Sequence, residues 1–246
     1  MKIDILTIFP AMFEGPLTES IIKRAREKKI LDIRIHDIRS FTTDKHKSVD
    51  DCPFGGGAGM VMKPEPIVRA LKGLGLGKKG KKTSTVVYLS PQGEPLNQRI
   101  LKGFSLKKRM VLLCGHYEGI DERVMSFVDK EISIGDYVLT GGELPAMVLI
   151  DAVARLLPGV VKEKSSVERD SFYGGILDYP HYTRPREFLG KAVPEVLLSG
   201  DHGAIEKWRK EQALRQTLKK RPDLLRKANL AKQDRKILEK IERHKE

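Results

Sequence analysis

Hydrophobic and polar positions repeat with two different periods along the first 157 residues. Short apolar runs predict strands, and apolar residues three to four positions apart predict helices between them. The predicted strands are 2–9, 31–38, 85–89, 110–114 and 131–134, and the predicted helices are 17–29, 64–74, 96–103, 121–127 and 143–157. Repeated strand–helix units predict an α/β domain, in which a mostly parallel sheet carries helices on both faces.

The pattern changes beyond Gly159. Residues 161–176 carry six charged side chains and little apolar periodicity, which predicts a mobile linker or lid. Only helices are predicted after it, first over 201–220 with an aspartate as N-cap, and then in an amphipathic C-terminal stretch. The chain is therefore divided into an α/β domain over 1–160, the linker, and a small all-helical domain over 177–246.

The composition excludes several classes of protein. The chain has 246 residues, of which 40% are hydrophobic and 32% are charged, as in soluble globular proteins. No stretch approaches the roughly 18 uncharged apolar residues of a membrane span, so no membrane partner is expected. The two cysteines, Cys52 and Cys114, lie far apart and form no CxxC pattern. We therefore expect no disulfide framework, no zinc site and a cytoplasmic location, and we assign no residue as a metal ligand.

The formal charge of +13 is concentrated at the two ends of the chain. Residues 1–85 carry +7 and 181–246 carry +8, while the middle carries −2. Basic ends around a neutral middle are expected when a small-ligand pocket is flanked by surfaces that bind a polyanion, and nucleic acid is the first candidate. Nine bases oppose two acids within 207–227. The alternative for this stretch is a solvated helix face.

Two of three glycine patterns fail as nucleotide-binding motifs. Residues 75–80 match GxGxxG, but they follow a predicted helix and precede a strand, the reverse of the required order. The same stretch nearly matches a P-loop, but Lys82 stands where serine or threonine must reach magnesium, which excludes an ATPase. In the third, 55–59, five small residues allow backbone amides to approach a flat or anionic ligand. A flexible turn is the alternative.

Three loops follow three successive predicted strands, at 88–93, 114–119 and 134–143. Ligands bind at the carboxyl ends of parallel strands, so these loops are predicted to form one pocket. The pocket lacks the basic residues that a triphosphate requires, and an adenosine-like cosubstrate suits it better. The side chains offered to an aromatic ring are Tyr88, Tyr117, Tyr137 and Leu139.

Several strings resemble the bacterial tRNA (guanine-N1)-methyltransferase family. They are YLSPQG at 88–93, CGHYEGIDERV at 114–124, SIGDYVLTGGELPAM at 133–147, DSF at 170–172 and LDYPHYTRP at 177–185. The resemblance covers essentially the whole chain. It implies a trefoil-knotted fold of the SPOUT type, a homodimer with the active site at the subunit interface, and methylation of the guanosine just 3′ of the anticodon (guanosine-37) from S-adenosylmethionine.

The resemblance also implies a donor site in the three loops. Its residues are Tyr88, Leu89, Ser90, Pro91, Gly115, Tyr117, Glu118, Ile134, Gly135, Tyr137, Leu139, Gly141 and Gly142. The family carboxylate at Glu118 lies beside the donor, where it could attract the sulfonium or a Mg²⁺ ion. His116 receives no role, because a lone histidine in a loop is more often structural.

Methylation of guanine N1 requires a base near N1 and a donor or cation near O6. By resemblance, Asp170 is the base and Arg155 stabilises O6; without the family match, Arg155 reads as a surface ion pair. Because Asp170 lies in the linker, its pocket is expected to be completed when the linker folds over the substrate. The substrate-binding candidates are Gly57, Gly59, Asp178, His181, Tyr182 and Arg184, with the basic tail on the phosphates of the anticodon stem.

Two alternatives stay open. One is a non-catalytic RNA-binding protein, in which the middle of the chain serves only for dimerisation. The other keeps the enzyme and changes the target base or RNA.

Overall fold

The structure, a computed structural model, describes residues 1–77 and 84–243. The chain divides into two compact units, a first unit of Met1–Lys162 and a second unit of Glu163–Glu246. The GxGxxG and P-loop-like patterns at 75–82 extend into residues 78–83, which lie outside the described residues.

Five parallel strands form the central sheet of the first unit, in the order β2-β1-β6-β5-β7. The strands are β1 Lys2–Thr7, β2 Asp32–Asp37, β5 Thr85–Pro95, β6 Arg109–Cys114 and β7 Lys130–Ser133. Two short strands, β3 Asp50–Asp51 and β4 Val61–Met62, pair antiparallel outside this sheet. The predicted parallel sheet is confirmed.

The two faces of the sheet are covered by different helices, which confirms the predicted layering. The helices are α1 Ser20–Glu27, α2 Pro64–Gly73, α3 Gln98–Ser105 and α4 Glu143–Ala154. Ile5 and Leu112 belong to the hydrophobic cluster that includes α1, α3 and α4, whereas Leu6, Val111 and Leu113 belong to the cluster that includes α2. Successive side chains of a strand point to opposite faces of the sheet. Because helices cover both faces, nearly every residue of a central strand must be apolar.

A buried carboxylate joins three strands in the interior of the first unit. His36 Nε2 lies 2.9 Å from Asp4 Oδ1, and Arg109 Nε donates to Asp4 Oδ2 at 2.8 Å. Burial alone would raise the pKa of Asp4, but the hydrogen bonds from His36 and Arg109 outweigh it and hold this pKa below its usual value. This network fixes β2 and β6 on either side of β1.

One predicted helix of the first unit is present with a tighter winding. The helix predicted over 121–127 is a 3-10 helix at Glu122–Phe127. The side chain of Asp121 accepts hydrogen bonds from the backbone and guanidinium of Arg123, which favours a tight local turn over an α-helix.

In its described residues, the second unit contains four α-helices, a 3-10 helix at Glu195–Leu198 and a small hairpin. The helices are α5 Lys164–Arg169, α6 His202–Lys220, α7 Pro222–Leu225 and α8 Lys232–Arg243, and the hairpin pairs β8 Glu187–Phe188 with β9 Lys191–Ala192. Asp201 caps α6 by accepting from the backbone N–H of Ala204, as predicted. The prediction of an all-helical C-terminal part is wrong, because it missed a hairpin of two-residue, exposed strands that leave no alternating pattern.

The segment predicted as the linker, 161–176, contains a regular element, α5. The division between the two units falls after Lys162, so most of this segment belongs to the second unit. The mobility of the segment stays a prediction.

Candidate active site

The three loops meet around one cavity of about 390 Å³ in the first unit. It lies where β5, β6 and β7 end, and β5 contributes through an irregular stretch between Leu89 and Glu94. All thirteen predicted donor-binding residues line it. From β5 these are Tyr88, Leu89, Ser90 and Pro91, after β6 they are Gly115, Tyr117 and Glu118, and after β7 they are Ile134, Gly135, Tyr137, Leu139, Gly141 and Gly142.

Glycines allow the walls of this cavity to touch. The backbone N–H of Gly142 donates to the carbonyl of Gly115 at 2.8 Å, and His116 and Gly141 form an antiparallel bridge. A Cβ on Gly142 would lie 2.8 Å from Cys114 Cα, and one on Gly115 would lie 2.9 Å from the ring of Tyr88. Real Cβ atoms do not approach so closely, so the walls require glycine at these positions.

The charge of the cavity is negative. Three carboxylates line it, those of Glu118, Glu122 and Glu131, and among the described residues no lysine or arginine does so. Burial, and then the charge of Glu131, raise the pKa of Tyr88 to about 12, so the phenol stays neutral. Such walls suit a ligand that carries an aromatic ring and a positive charge, and they oppose a triphosphate.

The glycine-rich loop between β3 and β4 adjoins one wall. The backbone N–H of Glu118 donates to Met60 O at 3.0 Å, and a Cβ on Gly59 would collide with the carboxylate of Glu118. Gly57 lies in the same exposed loop with open space around it. Of the two predicted glycines, Gly59 is therefore the one in contact with a cavity residue.

The predicted catalytic residues lie in different units. Arg155 is half-buried at the C-terminal end of α4, where its N–H donates to Asp151 O at 3.2 Å. Asp170 directly follows α5 and lines a second cavity, of about 240 Å³, within the second unit.

The second cavity brings together part of the predicted substrate set. Asp178 lines it beside Asp170, and His181 Nε2 lies 3.0 Å from Asp178 Oδ2. Tyr182 packs near Trp208, with ring centroids 6.2 Å apart, and Arg184 is exposed. The structure therefore brings Asp170, Asp178 and His181 together, and their roles stay predictions.

Four of the nine bases in 207–227 form ion pairs, which a count of charges does not show. The pairs are Arg209–Glu206, Lys210–Asp234, Arg215–Glu211 and Arg221–Asp223. Arg209 also lies over the ring of Tyr179, 5.1 Å from its centroid. Fewer cations therefore face solvent unpaired than the composition suggests.

Sequence reasoning missed cavity residues that stand beside the predicted ones, such as Gln92, Glu122 and Thr140. Their place within the same three loops was the available signal. None of the described helices is long and apolar enough to cross a bilayer. The described part of the chain also has no group of three His, Cys, Asp or Glu side chains arranged to hold a metal ion.

A parallel sheet with a glycine-walled cavity at the ends of its strands defines an α/β ligand-binding protein. The family model "tRNA (Guanine-1)-methyltransferase TrmD" matches residues 1–227. Curated relatives named tRNA (guanine-N(1)-)-methyltransferase include one from Endomicrobium trichonymphae, 60% identical over 92% of this chain and 100% of the relative, and one from Dictyoglomus turgidum, 53% identical over 99% and 97%. The chain belongs to this tRNA methyltransferase family, which confirms the predicted resemblance.

Proposed function

We propose that the protein transfers a methyl group from S-adenosylmethionine to N1 of the guanosine 3′ of the anticodon in tRNA. Its family consists of enzymes named for the methylation of guanine in tRNA. The observation that carries the proposal is the cavity in which thirteen predicted donor-binding residues converge. Its volume lies within the roughly 300–1,000 Å³ of small-molecule sites.

The residues of the first cavity fit this donor. Tyr88 and Leu139 offer surface to its adenine ring, and the hydrogen bond between Gly115 and Gly142 holds the two loops close around it. Glu118 supplies negative charge for a sulfonium and is also the candidate residue for Mg²⁺. Bound there, the donor supplies a methyl group on a positively charged sulfur.

Two side chains act on the guanine in this proposal. Asp170 accepts the N1 proton, and Arg155 stabilises the negative charge that develops on O6. Both belong to this chain, in different units, and the site is completed at the interface of a homodimer with the trefoil-knotted fold of the family.

An exposed apolar patch supports the homodimer. Leu144 and Val148, one turn apart on α4, are 49% and 48% exposed, and Phe9 and Met12 are exposed as well. A second copy that covers these side chains would remove them from water.

The tRNA is held through its phosphates by the second unit. In the described part of the chain, no ion pair involves Lys207, Lys219, Lys220, Arg226 or Lys227, which leaves them available for phosphate. Because its substrate is tRNA, we place the action of the protein in the cytoplasm.

Donor binding and methyl transfer test the proposal separately. S-adenosylhomocysteine is expected to raise the melting temperature, and labelled methyl from S-adenosylmethionine is expected to enter bulk tRNA. Stabilisation without incorporation would contradict the enzyme, and RNA binding without either result would favour the non-catalytic alternative. EDTA followed by Mg²⁺ tests the metal requirement.

A further inference from the structure

A buried carboxylate, Glu143, lies behind the donor cavity without lining it. It is the first residue of α4, and 1% of it is exposed. The hydroxyl of Thr7, at the end of β1, donates to Glu143 Oε1 at 2.7 Å, and the backbone N–H of Phe9 donates to the same hydroxyl at 2.9 Å. One carboxylate oxygen is thereby tied to the central strand of the sheet.

The second oxygen faces a loop of the cavity. Glu143 Oε2 and His116 Nδ1 are the two atoms nearest to the point that a Cβ on Gly141 would occupy, so both lie on the same side of that glycine. His116 Nδ1 is buried and has no hydrogen-bond partner among the residues that the structure describes. The ring of His116 is held edge-on between Phe9 and Tyr117, with centroids 4.9 Å apart in each case.

Elementary energetics favours a bond between these two groups. A buried carboxylate is costly unless it is hydrogen-bonded, and a buried ring nitrogen without a partner is costly as well. In the described residues His116 Nδ1 and Glu143 are not hydrogen-bonded as they stand, although both face the space beside Gly141. A small turn of either side chain that let His116 Nδ1–H donate to Glu143 Oε2 would give the ring nitrogen a partner, and the N-terminal end of α4 adds favourable electrostatics.

We propose that Glu143 is a positioning residue for the methyl donor, held by Thr7 on one oxygen, and that a small turn of either side chain brings the Nδ1–H of His116 to the other oxygen. It fixes the loop after β6 relative to the loop after β7, the two walls that meet at Gly115 and Gly142. Donor affinity then depends on a side chain that does not contact the donor. This inference rests on the proposed donor site.

The test compares two substitutions of Glu143 by donor titration calorimetry on the full chain. Glu143→Met keeps similar volume but removes both acceptors, and we expect S-adenosylhomocysteine to bind at least tenfold more weakly. Glu143→Gln keeps one acceptor and can turn its amide to suit both partners, so binding within about threefold of wild type is expected. Asp4→Asn is the matched control, because it alters another buried carboxylate of the same unit.

A purely structural role gives a different result. In that case Glu143→Met would behave like Asp4→Asn, with a lower melting temperature and unchanged donor affinity, and the inference would be wrong. Should Glu143→Met fail to fold, nitrogen-15 NMR of His116 in the wild-type protein decides, since we expect the proton on Nδ1. A proton on Nε2 alone would overturn the proposal. If the wild-type protein did not bind S-adenosylhomocysteine at all, the proposed function itself would be contradicted.

Discussion

The cavity of the first unit is lined almost entirely by uncharged residues, on loops whose backbones hydrogen-bond to one another, whereas the cavity of the second unit is lined mostly by charged side chains. Three of the 25 residues that line the first are acidic or basic, against eight of the 15 that line the second. The sheet and the hydrogen bonds between its loops fix the walls of the first cavity. These walls therefore keep their shape without a ligand. Walls of paired charges depend on solvent, salt and the ligand itself.

This difference suggests a division of labour between the two units. A preformed site suits the cosubstrate, whose shape is always the same. A charged site on α5 and α6 suits an RNA, because its ion pairs can exchange partners with phosphates and base edges. The predictions below test this division.

The largest effect is expected at Asp170. Asp170→Asn keeps the shape of the side chain but cannot accept the N1 proton, so single-turnover methyl transfer should fall by roughly 10²–10⁴ while donor affinity stays unchanged. Asp32→Asn, which removes an exposed carboxylate of β2, is the control and should transfer at the wild-type rate. A rate above one tenth of wild type would remove Asp170 from this role.

The second-largest effect is expected on donor affinity, when a wall of the first cavity is altered. Gly142→Ala places a methyl group 2.8 Å from Cys114 Cα, so the two loops must separate, and donor affinity should fall by about 10- to 100-fold. Gly103→Ala in α3 meets open space and should leave donor affinity unchanged, with a gain in stability of up to about 1 kcal/mol. Equal donor affinity in both variants, measured by calorimetry, would show that the walls are not preformed.

The segment 161–176 should respond to both ligands together. Its six charged residues and few apolar groups cannot offset ordering costs of ~1–2 kcal/mol per residue. We expect its amides, including those of α5, to exchange fast in the free protein and to slow at least about tenfold when tRNA and a donor analogue are both added. Protection that is already present without ligands would contradict an induced fit around Asp170.

The smallest effect is expected from surface charge. Lys219→Gln combined with Lys220→Gln should make the slope of log affinity for tRNA against log salt shallower by about one to two, with donor affinity unchanged. Lys107→Gln combined with Lys108→Gln removes an adjacent exposed pair from the first unit and serves as the control. An unchanged slope would assign the phosphate contacts to other residues. Point substitutions are preferable to truncation before residue 207, because that cut would divide α6 and remove the buried Leu214.

The sequence predicted the first unit well because its elements bury their apolar faces. Strands such as β6, buried along nearly its whole length, and helices such as α2 carry the period of their structure. The β8–β9 hairpin was missed because its four residues are exposed, so nothing in the pattern distinguishes them from a loop. The 3-10 winding of the helix at Glu122–Phe127 was not predicted, because a short apolar repeat fits either kind of helix.

The cavity of the first unit could be predicted because loops at the ends of neighbouring parallel strands must meet, whereas the thirteen candidate donor-binding residues came from the family resemblance. The hydrogen bond between Thr7 and Glu143 could not be predicted from the sequence. The two residues are 136 positions apart, and their contact depends on how α4 packs beside the end of β1. The ion pairs that occupy Arg209 and Lys210 were hidden for a related reason: a count of charges does not show which of them neutralise one another.

Mapping of the methylated nucleotide tests the central claim most directly. The protein is incubated with S-adenosylmethionine and a tRNA transcript that carries guanosine 3′ of the anticodon, and nuclease digests are analysed by mass spectrometry. We predict one methyl group per tRNA, on N1 of that guanosine, and none when the same position is changed to adenosine. A methyl group on another base or atom, or binding of both ligands without transfer, would contradict the account.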